Sequence, residues 1–314
     1  MDEPEFVKFL QHEFPFKYGI GIGDDTSVVP VNRADGFQLI TKDLLIEGVH
    51  FKLDYFSMEE LALKALAVNL SDIAAMGGVP QYFYLGLGFP NHLAAEKTVP
   101  FFKGLAAGCS KWDVALAGGD YSASPVLVIS ITVVGKAQHP VYRHGANVGD
   151  LIGMTGVTGE SALGLKLLLQ GQHNAYFTRK HKEVNPELIK GPVLSRYVSA
   201  MIDISDGLLM DLNRILTAST KGARIVWEQI PITPELHSLC QETGWLEYDA
   251  VLAGGEDYGL LFTIAVEREK ELRKEAIAYT IIGEITDSAR SLVVEDRGKP
   301  IILPRLGYDH FGTP

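Results

Sequence analysis

The chain has 314 residues, 46% of them apolar and 21% charged, with a formal net charge of −11. That length and apolar content suit about two globular domains and exclude wholesale disorder. An acidic chain without a Lys/Arg block argues against nucleic acid or an anionic membrane as partner, and an anionic ligand would need metal ions to supply local positive charge.

The two cysteines, Cys109 and Cys240, lie far apart without CxxC spacing, which indicates neither a disulfide scaffold nor a zinc site. The start, M-D-E-P-E-F, lacks the basic and apolar regions of a signal peptide, and no apolar run reaches the roughly 18 residues of a membrane span. A reduced, cytoplasmic, soluble protein is expected.

In chain order, residues Gly36–Thr41 and Ile46–Phe51 read as strand-like runs on either side of Asp43. Ser57 and Glu60 form a capping-box signature for a helix through Leu61, Leu63, Leu66 and Val68. It should end at Gly77-Gly78, with Asp72 in its later turns. Tyr82–Leu87 reads as a strand and Leu93–Ala107 as a helix. Val114–Leu116 and Val126–Val134 read as strands flanking G-G-D-Y-S. Around residues 140–150 the pattern begins again, with a strand over Asp150–Met154 and a helix from T-G-V-T-G-E-S to Gln170. Gly171–Pro192 reads as loop or short helix. A strand over Met201–Asp203 runs into a helix over Gly207–Ala218, whose Leu208, Leu209, Leu212, Ile215 and Leu216 share one face. Ile225–Trp227, Leu260–Ile264 and Thr280–Ile282 complete the strands. The fold class expected is α+β in two domains, residues 1–143 and 144–314.

Seven aspartates sit at seams between apolar runs and glycine-rich turns: Asp24, Asp25, Asp43, Asp72, Asp120, Asp203 and Asp206. Gathered around one cleft they would repel one another and need cations, and all-oxygen ligands suit Mg²⁺ better than zinc or copper. Each has a plainer reading. G-I-G-D-D-T can be a tight turn with solvated acids. His50, seven residues after Asp43, can be a satisfied core or edge histidine. Asp43 interrupts an apolar segment and, if buried, needs a partner or a metal. Asn69 and Asp72 share a helix face flanked by apolar residues, which favours coordination for Asp72. Gly118-Gly119 would end a strand and turn out Asp120, allowing backbone approach to a ligand or making only a turn. In D-I-S-D-G, Ser205 can cap the following helix, and capping explains one acid there but not both Asp203 and Asp206. L-A-G-G-E-D-Y adds Glu256 and Asp257, and T-G-V-T-G-E-S at a helix start can present amides to phosphate or be a simple turn. The P-loop, HExxH, GxSxG and protein-kinase signatures are absent.

G-I-G-D-D-T, T-K-D-L-L-I-E-G-V-H-F, A-V-N-L-S-D-I-A-A-M-G, G-G-D, R-H-G-A-N-V-G-D, D-I-S-D-G-L, G-G-E-D-Y and a terminal G-Y-D-H-F occur in this order. As an ordered set they resemble the thiamine-monophosphate kinase family, within the superfamily of aminoimidazole ribonucleotide synthetase and selenophosphate synthetase. The resemblance implies an N-terminal α/β domain that pairs in a homodimer, a C-terminal α+β domain, and ATP between them. It implies Mg²⁺-dependent transfer of the ATP γ-phosphoryl group to thiamine monophosphate. It assigns Mg²⁺ to Asp24, Asp25, Thr41, Lys42, Asp43, Asp72, Asp120, Asp203 and Asp206, with a positioning role for Asp206. Gly119, Asp120, Arg143 and Ser205 match ATP-contacting positions, and His50, Glu256 and Tyr308 match acceptor-contacting ones. There is room for a monovalent cation. Two departures stand out: Lys42 replaces a small hydroxyl residue and can pair with Asp43 or replace a cation, and H-K-E-V-N-P-E-L lacks the family's arginines. The alternatives are another ATP-dependent enzyme of the superfamily and a non-catalytic nucleotide-binding module.

Overall fold

The structure is a computed structural model and describes residues 3–13, 16–31, 36–91, 93, 95–289, 291–301 and 306–307. Its first half comprises α1 (Glu3–Glu13), β1 (Ser27–Pro30), β2 (Phe37–Ile46), α2 (Met58–Ala75), β3 (Val79–Phe89), α3 (Ala95–Trp112), β4 (Ala115–Ala123) and β5 (Val128–Ala137). The strands form one sheet in the order β1-β2-β5-β3-β4, with only β3 and β4 parallel. The second half runs β6 (Leu151–Met154), α4 (Glu160–Leu169), α5 (Ala175–Lys182), α6 (Lys190–Leu194), β7 (Ala200–Asp203), α7 (Leu208–Ser219) and β8 (Gly222–Val226). It continues with α8 (Pro234–Thr243), α9 (Glu247–Ala253), β9 (Leu260–Ile264), α10 (Val266–Leu272), β10 (Thr280–Thr286), β11 (Leu292–Asp296) and β12 (Lys299–Pro300). Its sheet has the order β12-β11-β8-β10-β6-β9-β7.

Helix α2 organises both halves. Its N-terminus carries the capping box that Ser57 and Glu60 predict, and it ends where Gly77 takes a positive φ. One side packs on the first sheet through Leu61, Leu66 and Leu70, against Leu39, Phe83 and Ile131. At its end Ala74 and Ala75 join a second cluster with Met201, Leu260 and Phe262 of the other sheet. A helix apolar all round is a buried helix. Its few polar residues, Lys64, Asn69, Ser71 and Asp72, therefore each need a partner.

Several sequence expectations change. β2 runs on through Asp43 to Ile46, because Lys42 and Asp43 face opposite sides of the same pleat, and the second expected run, Ile46–Phe51, is a turn closed by the Val49 and His50 N–H groups on the Ile46 carbonyl. β1 pairs β2 only at Phe37–Ile40, so beyond that point the edge of β2 is uncovered and the Asp43 N–H donates to Asn69 Oδ1 at 3.0 Å. β4 likewise continues through G-G-D-Y-S, and Asp120 lies mid-strand rather than after a strand end. The glycine is required by the pairing itself: a Cβ on Gly119 would stand 1.9 Å from the Leu85 carbonyl oxygen. Ser205 does not cap α7. The Asp211 carboxylate, inside that helix, accepts the backbone N–H groups of Ser205, Asp206 and Gly207 at 3.0, 3.0 and 3.2 Å.

Candidate active site

Asp25 follows the turn after Gly23, Asp72 projects from the last turns of α2, and Asp203 ends β7. One carboxylate oxygen from each lies within 4.8 Å of the others. Thr41 on β2 donates its hydroxyl to Asp72, and Ser71 on α2 donates to Asp203 at 2.6 Å. Ser71 thus ties α2 to the second sheet beside the cluster. Asp25 accepts from Arg143 Nη2 at 2.6 Å, while its other oxygen, Oδ2, is buried without a hydrogen-bond partner. Arg143 also donates its backbone N–H to Asp24 at 2.7 Å, so the segment joining the two halves is pinned to the acidic turn.

The electrostatics follow from crowding. Burial, then Asp43, Asp203 and Asp25, push the Asp72 carboxyl well above its ordinary value. Burial and Asp25 do the same to Asp203. Asp43 is pushed up to about 6 by burial together with Asp206 and Asp25. Asp24 is raised, chiefly by burial. Burial opposes the charge of Arg143, yet Asp25 and Asp24 hold it above its usual value. Such a site favours protons or cations over bare carboxylates.

Asp206 is engaged by Arg214 at 2.6 Å, and Arg214 also bonds Asp211 at 2.6 Å. Arg214 and Asp211 were not singled out from the sequence, although an Asp and an Arg three apart on one helix face are neighbours by geometry. Ser205 contributes its carbonyl to the Glu256 N–H at 2.7 Å. Glu256 pairs with Lys64 at 3.2 Å and with His181 Nδ1 at 3.1 Å. Asp257 accepts the N–H groups of Gly159 and Ser161 at 2.8 and 3.3 Å. The amides at the start of α4, read as possible phosphate donors, are thus occupied by an internal carboxylate.

Other residues lie apart from the cluster. His50 Nδ1 accepts the Ile46 N–H at 3.0 Å, closing the turn after β2. Asp120 is exposed on edge strand β4, in register with Gly86, Ser130 and Leu44, and accepts its neighbour Tyr121's N–H at 3.0 Å. Lys42 corrects its reading: its ammonium bonds Ser130 at 2.5 Å on the opposite face of β2, so the side chain neither pairs with Asp43 nor replaces a cation there. Tyr308 lies outside the described residues. Among the described residues, Arg143 and Arg214 place guanidinium groups on Asp25 and Asp206.

The oxygen-only donor set and the orphaned Asp25 oxygen fit a hard divalent cation such as Mg²⁺. Cys109 and Cys240 are free thiols, and among the described residues no helix is long and apolar enough to cross a membrane.

The profile of AIR synthase related protein, N-terminal domain, matches residues 23–137, and that of the C-terminal domain matches residues 148–295. The thiamine-monophosphate kinase of Buchnera aphidicola is 37% identical over 306 residues, covering 93% of this chain and 92% of that protein. The thiamine-monophosphate kinase of Bacillus subtilis is 34% identical over 309 residues, covering 93% of each. The solved structure of AaThiL complexed with AMPPCP and TMP superposes with a TM-score of 0.89 at 30% identity, covering 99% of this chain and 97% of that one. With both domains matched in order and the relatives aligned over nearly their whole length, the chain belongs to the thiamine-monophosphate kinase family of AIR synthase related proteins.

Proposed function

We propose that this chain transfers the γ-phosphoryl group of ATP to the phosphate of thiamine monophosphate, giving thiamine diphosphate and ADP. The observation that carries the reading is the convergence of Asp25, Asp72 and Asp203 at the seam between the two sheets, in a chain similar throughout to AaThiL, which was solved with AMPPCP and TMP. The acceptor oxygen is already anionic, so the reaction needs no general base. What opposes it is repulsion between two polyanions, and positioning with charge neutralisation overcomes that. When bound, Mg²⁺ supplies the neutralising charge and orients the phosphates.

The chain's own residues divide the work. Asp25, Asp43, Asp72 and Asp203 are assigned to hold Mg²⁺, flanked by Asp24, Thr41 and Asp206. Arg143, which pairs with Asp25, and Ser205 are assigned to the nucleotide by resemblance. Gly119 and Asp120, on the exposed edge strand, are assigned to the nucleotide by resemblance alone. His50, Glu256 and Tyr308 are assigned to the acceptor on the same ground. Residues 1–143 would carry most metal ligands and residues 144–314 would complete the site, in a cytoplasmic enzyme.

Purified protein incubated with ATP, Mg²⁺ and thiamine monophosphate is expected to form thiamine diphosphate and equimolar ADP. An Asp43→Asn control should lose roughly a hundredfold in rate. ADP without thiamine diphosphate would keep the nucleotide site and refute the acceptor.

A homodimer is part of the same reading. Leu44 and Tyr84 are 46% and 47% exposed on the same sheet face, and edge strand β4 is exposed along its length. Uncovered apolar faces and open edges invite a second copy. Light scattering should give about twice the 34.3 kDa protomer mass. Tyr84→Lys should shift the population toward monomer, and a wild-type monomer at micromolar concentration would refute the assembly.

A further inference from the structure

Lys64 lies eight residues before Asp72 on α2, away from the aspartate cluster, and is 2% exposed. Its ammonium donates to the His181 carbonyl at 2.7 Å, pairs with Glu256 Oε1 at 3.2 Å, and lies over the Phe56 ring. Lys64 and Ser71 stand seven residues apart, two turns along one stripe of the helix. Ser71 clamps Asp203, whereas Lys64 clamps the Glu256 loop. Burying an ammonium is costly, and a helix that needed only packing would place an apolar residue there.

The other end of the clamp is a loop under backbone strain. Glu256 has φ +65° and Tyr258 φ +53°, left-handed conformations that non-glycine residues adopt at a cost. The loop is stitched to the D-I-S-D-G turn by Glu256 N–H to Ser205 O at 2.7 Å and Tyr258 N–H to Ile204 O at 2.8 Å. His181, 1% exposed and packed against Tyr55 and Phe56, places Nδ1 3.1 Å from the second Glu256 oxygen. Glu256 is thus held from both oxygens by groups of two different elements, yet its side chain remains 31% exposed toward solvent. Against the tendency of burial to neutralise it, Lys64 and His181 keep its carboxyl at about 2.

We propose that Lys64 is a positioning residue for the acceptor: with His181 it fixes the Glu256 carboxylate, which meets the positively charged ring system of thiamine monophosphate. A fixed anion suits a fixed cation on the substrate, and holding it in advance removes the ordering cost of binding. The inference rests on the phosphoryl-transfer reading above.

The test is steady-state kinetics of the full-length wild type, Lys64→Met, Glu256→Gln and the double variant, with ATP and thiamine monophosphate varied separately. Each single change should raise the acceptor KM about tenfold with little change in kcat, the signature of lost uniform binding. The KM for ATP should stay within about twofold. The double variant should match Glu256→Gln alone, because Lys64 acts only through that carboxylate. Effects that multiply in the double variant, or an ATP KM that rises as much as the acceptor KM, would overturn the proposal. If Lys64→Met does not fold, the comparison of the double variant with Glu256→Gln decides alone: equality supports the clamp and a further loss rejects it. A wild type that makes no thiamine diphosphate would remove both readings, whereas an active wild type with multiplicative effects removes this one only.

Discussion

Asp72→Asn is expected to slow thiamine diphosphate formation by about a hundredfold, roughly 3 kcal/mol of transition-state stabilisation, while raising the melting temperature of the metal-free protein. The two effects have one cause. Asp72 has Thr41 as its hydrogen-bond donor and is crowded by Asp43, Asp203 and Asp25, with no cationic side chain bonded to it among the described residues. Two carboxylates within 4.8 Å repel by about 1–3 kcal/mol at effective dielectrics between water and a protein surface. An amide keeps an acceptor for Thr41 and offers N–H donors to the neighbouring acids. At about 2–4 °C per kcal/mol, a rise of several degrees should appear in a thermal scan with chelator present. A carboxylate serving structure alone would show the reverse, with stability falling and activity following it. A variant both less stable and less active would therefore sink the assignment.

Stability held below its attainable level is the expected mark of a functional cluster, and it explains which parts of the molecule were legible in sequence. Asp43 and Asp72 stood out because each breaks an apolar pattern at a fixed place, one in a strand and one late in a capped helix. The same logic placed the ends of α2, since capping and glycine termination are local chemistry. Lys64 was not legible. A lone lysine in an amphipathic helix ordinarily reaches solvent, and only the packing of α2 between two sheets turns that position inward. Asp211 escaped for a related reason: its carboxylate folds back over the preceding loop, so the cap comes from inside the helix rather than from Ser205. In the sequence Asp43 reads as an interruption and the glycines of G-G-D as a strand end. In the folded sheet both are ordinary strand positions, with Asp43 facing away from Lys42 and Gly119 required by the parallel pairing of β3 and β4.

Magnesium should raise the melting temperature more at about pH 8 than at about pH 5.5. Asp43 is held at about 6, Asp211 at about 7 and Asp257 at about 8, each chiefly by burial, and Asp72 and Asp203 are likewise raised well above their ordinary value. A carboxyl raised on folding binds its proton more tightly in the native state. Its contribution to stability is present below the unfolded value near 3.8 and is lost as pH climbs through the folded one. His181 works the other way, because burial lowers it and stability is lost as pH falls below its unfolded value. Glu256, held at about 2, changes only in stronger acid. Several carboxyls outweigh one imidazole, so the chelated protein should lose stability between about pH 5 and 8. A cation bound by Asp25, Asp72 and Asp203 stabilises their ionised forms, and its affinity rises over the same interval. With free Mg²⁺ a hundredfold above Kd, the gain is about 2.7 kcal/mol, or roughly 5–10 °C for domains of this size. The Mg²⁺-dependent shift should shrink sharply in Asp72→Asn. A shift equal at both pH values, or unchanged in that variant, would place the cation elsewhere.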